Sequence, residues 1–136
     1  MAFPVQHRDF YETPAVMQLA DAPRWTVSDV DKMPLDMRAL QRGELRQDGG
    51  FKGALERNAN YLMTLPELCA FLPDAANHAF ALIAPMDGVC VLDIERNCPE
   101  EDARRLLRLP ALYVERSMSG LGYHLLMPLP ANFAQQ

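Results

Sequence analysis

Two acidic residues, Asp93 and Glu95, stand one residue apart in the run VLDIE. On a β-strand, side chains two apart point to the same face. Val91, Leu92 and Ile94 surround them, and a carboxylate among apolar neighbours is costly unless something satisfies it. Two carboxylates side by side also repel each other. A divalent cation answers both problems, and oxygen donors suit Mg²⁺ or Mn²⁺, which keep waters and recruit phosphates. The plainer reading is a strand that surfaces at its end with both acids in solvent.

The second segment able to do chemistry is Ser117-Met118-Ser119-Gly120-Leu121-Gly122-Tyr123-His124. Two hydroxyls and two glycines so close together make a turn whose backbone amides can face outward and bind an anion, phosphate above all. His124 follows at the start of an apolar stretch. Its imidazole can donate to a phosphate oxygen or ligate a metal. The plainer alternative is a β-hairpin turn with a structural histidine at the sheet edge. A carboxylate-held metal beside a phosphate-binding turn is what phosphoryl transfer requires.

The elements that must position these groups follow from pattern. Residues 1–23 form a proline-punctuated lead-in with one short helix, Pro14 to Ala20. Arg24 to Ser28 reads as a short strand. Asp29 to Gly53 is polar, and within it Arg38, Arg42 and Arg46 fall on one face if a helix forms there. Thr64-Leu65-Pro66-Glu67 reads as a capping box opening a helix that runs to about Phe71. Ala79 to Pro85 reads as a strand and Asp87-Gly88 as a turn. Val89 to Glu95, apolar on both faces, reads as a central strand. Pro99 to Arg108 reads as a helix with acids in its first turn and arginines toward its end. Ala111 to Arg116 and Tyr123 to Met127 complete the strands. The expected fold is α+β, an antiparallel-rich sheet with helices on one face, in a single domain whose body spans residues 24–130. A right-handed crossover through the helix should set strand 111–116 beside strand 89–95.

Composition restricts function. The 136 residues are 49% hydrophobic and 23% charged, enough for a real core. The net charge of −5 speaks against a free-standing module that holds DNA by neutralising phosphates. Cys69, Cys90 and Cys98 form no C-x-x-C pair, which points to a reduced protein without a zinc knuckle. The N-terminus has no signal-peptide pattern and no apolar run is long enough to span a bilayer, so a cytoplasmic location is expected. His7, His78 and Trp25 read as structural, and Arg104, Arg105 and Arg108 as charges complementing a helix dipole.

The run VLDIE, a helix, and then ERSMSGLGYHLLM together resemble the bifunctional primase–polymerase domains of phages and plasmids, within the archaeo-eukaryotic primase superfamily. Arg24-Trp25, Lys32-Met33-Pro34 and Thr64 to Leu68 resemble earlier segments of that family, so the likeness covers roughly residues 23–130. It implies a catalytic sheet like an RNA-recognition motif with a smaller N-terminal α/β portion. It further implies a DNA primase or polymerase nucleotidyltransferase in DNA replication, using Mg²⁺ or Mn²⁺. Asp93 and Glu95 would be its metal ligands. His124 would contact the triphosphate, assisted by Ser117, Ser119, Gly120 and Gly122, with Lys32 as a further phosphate or template contact. Its partners would be nucleoside triphosphates, a DNA template, and a helicase or other replication protein. The family's site is completed by a third carboxylate well beyond the histidine. Here twelve residues follow His124 and none is acidic, so the catalytic sheet is expected to be incomplete at its C-terminal end. The alternative expectation is a catalytically incomplete module that binds nucleotide or nucleic acid.

Overall fold

The computed structural model describes residues 13–29, 31–73, 79–117 and 121–129. The chain is mixed α+β and divides into two compact units, Met1–Leu82 and Ile83–Gln136. The N-terminal portion, expected to be the smaller, is the larger.

The first unit is built from α1 (Pro14–Ala20), β1 (Trp25–Thr26), α2 (Met37–Gln41), α3 (Leu65–Phe71) and β2 (Phe80–Ala81). Its core gathers Val16, Leu19, Trp25, Met37, Leu62, Met63, Leu65 and Leu68, all buried. Trp25 is a core residue, as its sequence context implied: its indole N–H donates to the Leu19 carbonyl at 2.9 Å. Buried Thr26 satisfies its hydroxyl on the Leu35 carbonyl at 2.7 Å. β1 is flanked by β2, with Trp25 opposite Ala81, and bridged to Met63 on its other side. The strand expected over 79–85 is therefore only two residues long and serves the first unit. Its chain then enters a 3-10 turn (Pro85–Asp87), where the Asp87 carboxylate accepts from the Ala84 amide at 2.8 Å.

α3 has the expected capping box. Thr64 Oγ1 accepts from the Glu67 amide and the Glu67 carboxylate accepts from the Thr64 amide, each at 3.2 Å. The arginine stripe is different from expectation. α2 stops at Gln41 because Gly43, at φ +75°, closes a Schellman motif: its amide donates to Leu40 and that of Glu44 to Ala39. Arg42 and Arg46 thus leave the helix, and each pairs with an acid two residues on, Glu44 and Asp48. Arg38 reaches Glu67. The three do not form one basic face.

The second unit holds β3 (Val89–Ile94), α4 (Glu100–Leu106), β4 (Tyr113–Arg116) and β5 (Tyr123–Pro128). The helix is shorter than the expected Pro99–Arg108, with Pro99 as its N-cap. No residue of α4 is fully buried. The strands form one antiparallel sheet in the order β3-β5-β4. β3 and β4 run parallel to each other, with β5 inserted between them, the arrangement of a split β-α-β unit. Two expectations are corrected here. β3 lies at an edge of this sheet, not at its centre, and alternates: Val91 and Asp93 are exposed while Ile94 is buried. β4 is not its neighbour. The centre belongs to β5, whose Leu125 and Leu126 are buried and pair on both sides.

Candidate functional site

Register places the site. In β3-β5-β4, Asp93 lies opposite His124, and His124 lies opposite Glu115. Directly opposed residues in an antiparallel sheet share a face. Asp93, His124 and Glu115 therefore form a row across three strands, with the imidazole between the carboxylates. The adjacent row on this face is Val91, Leu126 and Tyr113. The wanted convergence of Asp93 and His124 is met, through direct strand pairing rather than the expected crossover.

The row is open to solvent: the side chains of Asp93, His124 and Glu115 are 57%, 36% and 41% exposed. His124 Nδ1 lies 3.0 Å from Glu115 Oε1, a hydrogen bond. His124 Nε2 lies 3.6 Å from Asp93 Oδ1, within reach of charge but too long for a hydrogen bond. Tyr113, two residues before Glu115 on the same face, hydrogen-bonds to that carboxylate. Burial, the negative charge of Glu115 and this bond all push the Tyr113 hydroxyl well above its ordinary value. It remains a phenol, able to donate, throughout the neutral range. The site is thus a connected set: Asp93, His124, Glu115, Tyr113.

Glu95 is only partly as expected. β3 ends at Ile94, and Glu95 starts the turn that follows, where its carbonyl accepts from the Cys98 amide at 3.0 Å. It is exposed beside the strand end that carries Asp93. Ser117 and Gly122 close the turn into β5. The Gly122 amide donates to Ser117 Oγ at 3.1 Å and the Ser117 amide to the Gly122 carbonyl at 2.9 Å. These two amides are used within the turn itself, where they close the β4–β5 connection. Ser119 and Gly120 lie outside the described residues, as do His7 and His78. Lys32 belongs to the first unit. It adopts φ +65° in a loop where the Asp29 carboxylate accepts from the Asp31 and Met33 amides.

Glu115 and Tyr113 escaped the sequence reading. Their one signal is alternation: in the predicted strand 111–116, Tyr113 and Glu115 share a face. Spacing along the chain says nothing of His124, nine residues away. Only the register of β4 on β5 joins them.

One end of the row carries donor types that a divalent cation takes. Asp93 offers carboxylate oxygen, His124 an imidazole nitrogen, and Glu95 a second carboxylate at the strand end. Two donors each about 2.1 Å from one ion lie roughly 3–3.5 Å apart, close to the Asp93–His124 separation. Among the described residues, no group of three or more His, Cys, Asp or Glu is arranged to hold an ion by itself. We find no protein-family model and no curated protein that matches the chain.

Proposed function

We propose that this chain is a metal-dependent nucleotide-binding domain of the primase–polymerase type, with DNA-directed nucleotidyl transfer as its reaction. The observation that carries the reading is the pairing of Asp93 with His124 on one open sheet face, next to the serine–glycine turn that enters β5. Asp93 and Glu95 are the carboxylates for Mg²⁺ or Mn²⁺. Such an ion, when bound, neutralises triphosphate charge and stabilises a leaving pyrophosphate. His124 supplies a nitrogen at the same place. Ser117, whose Oγ accepts from the Gly122 amide, lies at the serine–glycine turn and is a proposed phosphate contact. Ser119 and Gly120, in the same turn, remain proposed phosphate contacts. The sheet, with its split β-α-β order, agrees with a fold like an RNA-recognition motif.

A second reading is favoured by one observation. Glu115, the second carboxylate of the row, is engaged by His124 and Tyr113 and lies across the central strand from Asp93. Two-metal transfer needs a further acid near the first. The row as it stands suits binding of a metal–nucleotide complex without turnover, in a module that serves a DNA template or a replication partner such as a helicase.

Thermal unfolding tests the common premise. Mn²⁺ with a nucleoside triphosphate raises the melting temperature, because a ligand that binds only the folded state stabilises it, and Asp93→Ala removes the effect. No rise in the wild-type chain refutes both readings. Primer extension by the chain separates them: elongation supports transfer, and stabilisation without elongation supports the binding module.

A further inference from the structure

We propose that the free edge of β3 is a strand-addition site. Its occupant is an extended segment of a partner protein, with lysine or arginine opposite Asp93 and an apolar residue opposite Val91. The site is built from the main chain of β3 and does not depend on the nucleotide reading.

The phase of the ladder shows which groups point outward. The Leu129 amide donates to the Gly88 carbonyl at 2.9 Å, and the same register continues through Val89–Pro128 and Cys90–Met127. Hydrogen-bonded pairs alternate along an antiparallel ladder. Cys90, Leu92 and Ile94 therefore use their N–H and C=O groups on β5. Val89, Val91 and Asp93 turn theirs away from it. Pro128, which has no N–H to give, stands opposite Val89, in keeping with this phase. None of the turn and loop hydrogen bonds among the described residues uses the main chain of Val91 or Asp93.

A row of outward main-chain groups invites another strand unless the edge is short, bulged or well charged. β3 is six residues long, pairs in unbroken register and carries one charge, Asp93. The other edge, β4, is four residues long and ends in Glu115 and Arg116. Side chains then select the occupant. Val91 is 51% exposed, and the Asp93 side chain beside it on the same face is 57% exposed. An added strand sets one residue across from each, with Cβ atoms roughly 5 Å apart. Opposite charges at that spacing attract and like charges repel. Glu95, exposed just past the strand end, adds to the negative charge. In antiparallel pairing the matching segment reads basic–x–apolar. A second copy of β3 is the poorer fit. The strand has no basic residue, so antiparallel pairing with itself sets Asp93 against valine or another acid.

A capped peptide alternating valine with threonine, its central valine replaced by lysine, serves as the probe. A second peptide carries glutamate at that position. Each is titrated into the ¹⁵N-labelled full chain without metal or nucleotide. The lysine peptide should move the Val89, Val91 and Asp93 amide signals and slow their exchange with solvent. The glutamate peptide should bind more weakly, by roughly threefold or more. Val91→Pro removes an outward N–H that β5 does not use, and edge strands accept proline there. Affinity for the lysine peptide should then fall roughly tenfold. Asp93→Lys, an exchange at an exposed position, should reverse the preference toward the glutamate peptide. That reversal decides the matter if Val91→Pro perturbs the fold. Unmoved β3 amides, equal binding of the two peptides, or an unchanged preference in Asp93→Lys overturns the proposal. So does a concentration-dependent dimer of the free chain that Val91→Lys disperses, which would put a second copy on this edge.

Discussion

Gly122, one residue before β5, lies against the end of β3. A Cβ built there would fall inside contact distance of the Ile94 carbonyl oxygen and 3.4 Å from Ser117 Oγ. The first obstacle is backbone, which cannot rotate aside as a side chain can. Gly122→Ala must therefore part the two strands next to the Asp93–His124 pair, at a cost on the order of 1–3 kcal/mol, read as a lower thermal midpoint. Gly53 is the control. Its nearest neighbour to an added Cβ is the Pro34 carbonyl at an ordinary 3.6 Å, so Gly53→Ala stays within about 0.5 kcal/mol. Equal losses in the two variants would show that β5 does not depend on close approach at Gly122. The sequence marked Gly122 as a turn glycine with a phosphate to hold. The backbone gives it another task, a narrow passage between strands, which a single sequence cannot express.

Helices were legible where capping chemistry was local. Thr64, Pro66 and Glu67 fix the start of α3 within four residues, and Pro14 opens α1 where expected. Replacing the cap, Thr64→Ala, removes the acceptor for the Glu67 amide and costs about 1 kcal/mol, measurable by chemical denaturation. Glu67 also meets the Arg38 guanidinium through two contacts of 2.9 and 3.3 Å. That hydrogen bonding, with help from the Thr64 amide, holds its carboxyl below the ordinary 4.5 against the opposing effect of burial. A folded-state value below the unfolded one contributes stability above the unfolded value, and the contribution fades as pH falls through the folded one. Acidification below about 4.5 should thus lower the melting temperature less in Glu67→Gln than in the wild type. An identical acid slope would remove Glu67 from the account. Strands were less legible than helices. Their positions follow from alternation, yet β3 read as central because apolar residues flank Asp93 on both sides. Which strand stands between two others is decided by pairing between distant segments, and local pattern does not encode it. The same limit hid Glu115. The arginine stripe failed for a local reason instead, since a left-handed Gly43 outweighed the four-residue spacing.

Charge is a property of the whole molecule, and it bears on which ligand this chain can hold. Thirteen basic residues face eighteen acidic ones. Several of the arginines are also committed: Arg38, Arg42, Arg46, Arg104 and Arg105 each contact a carboxylate at the surface. Surface pairs add little stability, but they cancel the local positive potential that a phosphate backbone needs. Affinity for nucleic acid comes largely from phosphate neutralisation with release of counterions, and it falls steeply with salt. A metal–triphosphate complex needs no such surface, because its cation brings the charge and Asp93 with His124 only has to hold it. Single-stranded DNA should therefore bind this chain no tighter than about 10⁻⁴ M at physiological salt, with a shallow salt slope in fluorescence anisotropy. Under the same conditions Mn²⁺ and a nucleoside triphosphate should give saturable binding that Asp93→Ala abolishes. Tight DNA binding with a steep salt dependence, indifferent to Asp93, would assign the chain's affinity to a basic surface outside the Asp93–His124–Glu115 row. The nucleotide-centred reading would then give way to a nucleic-acid-binding one.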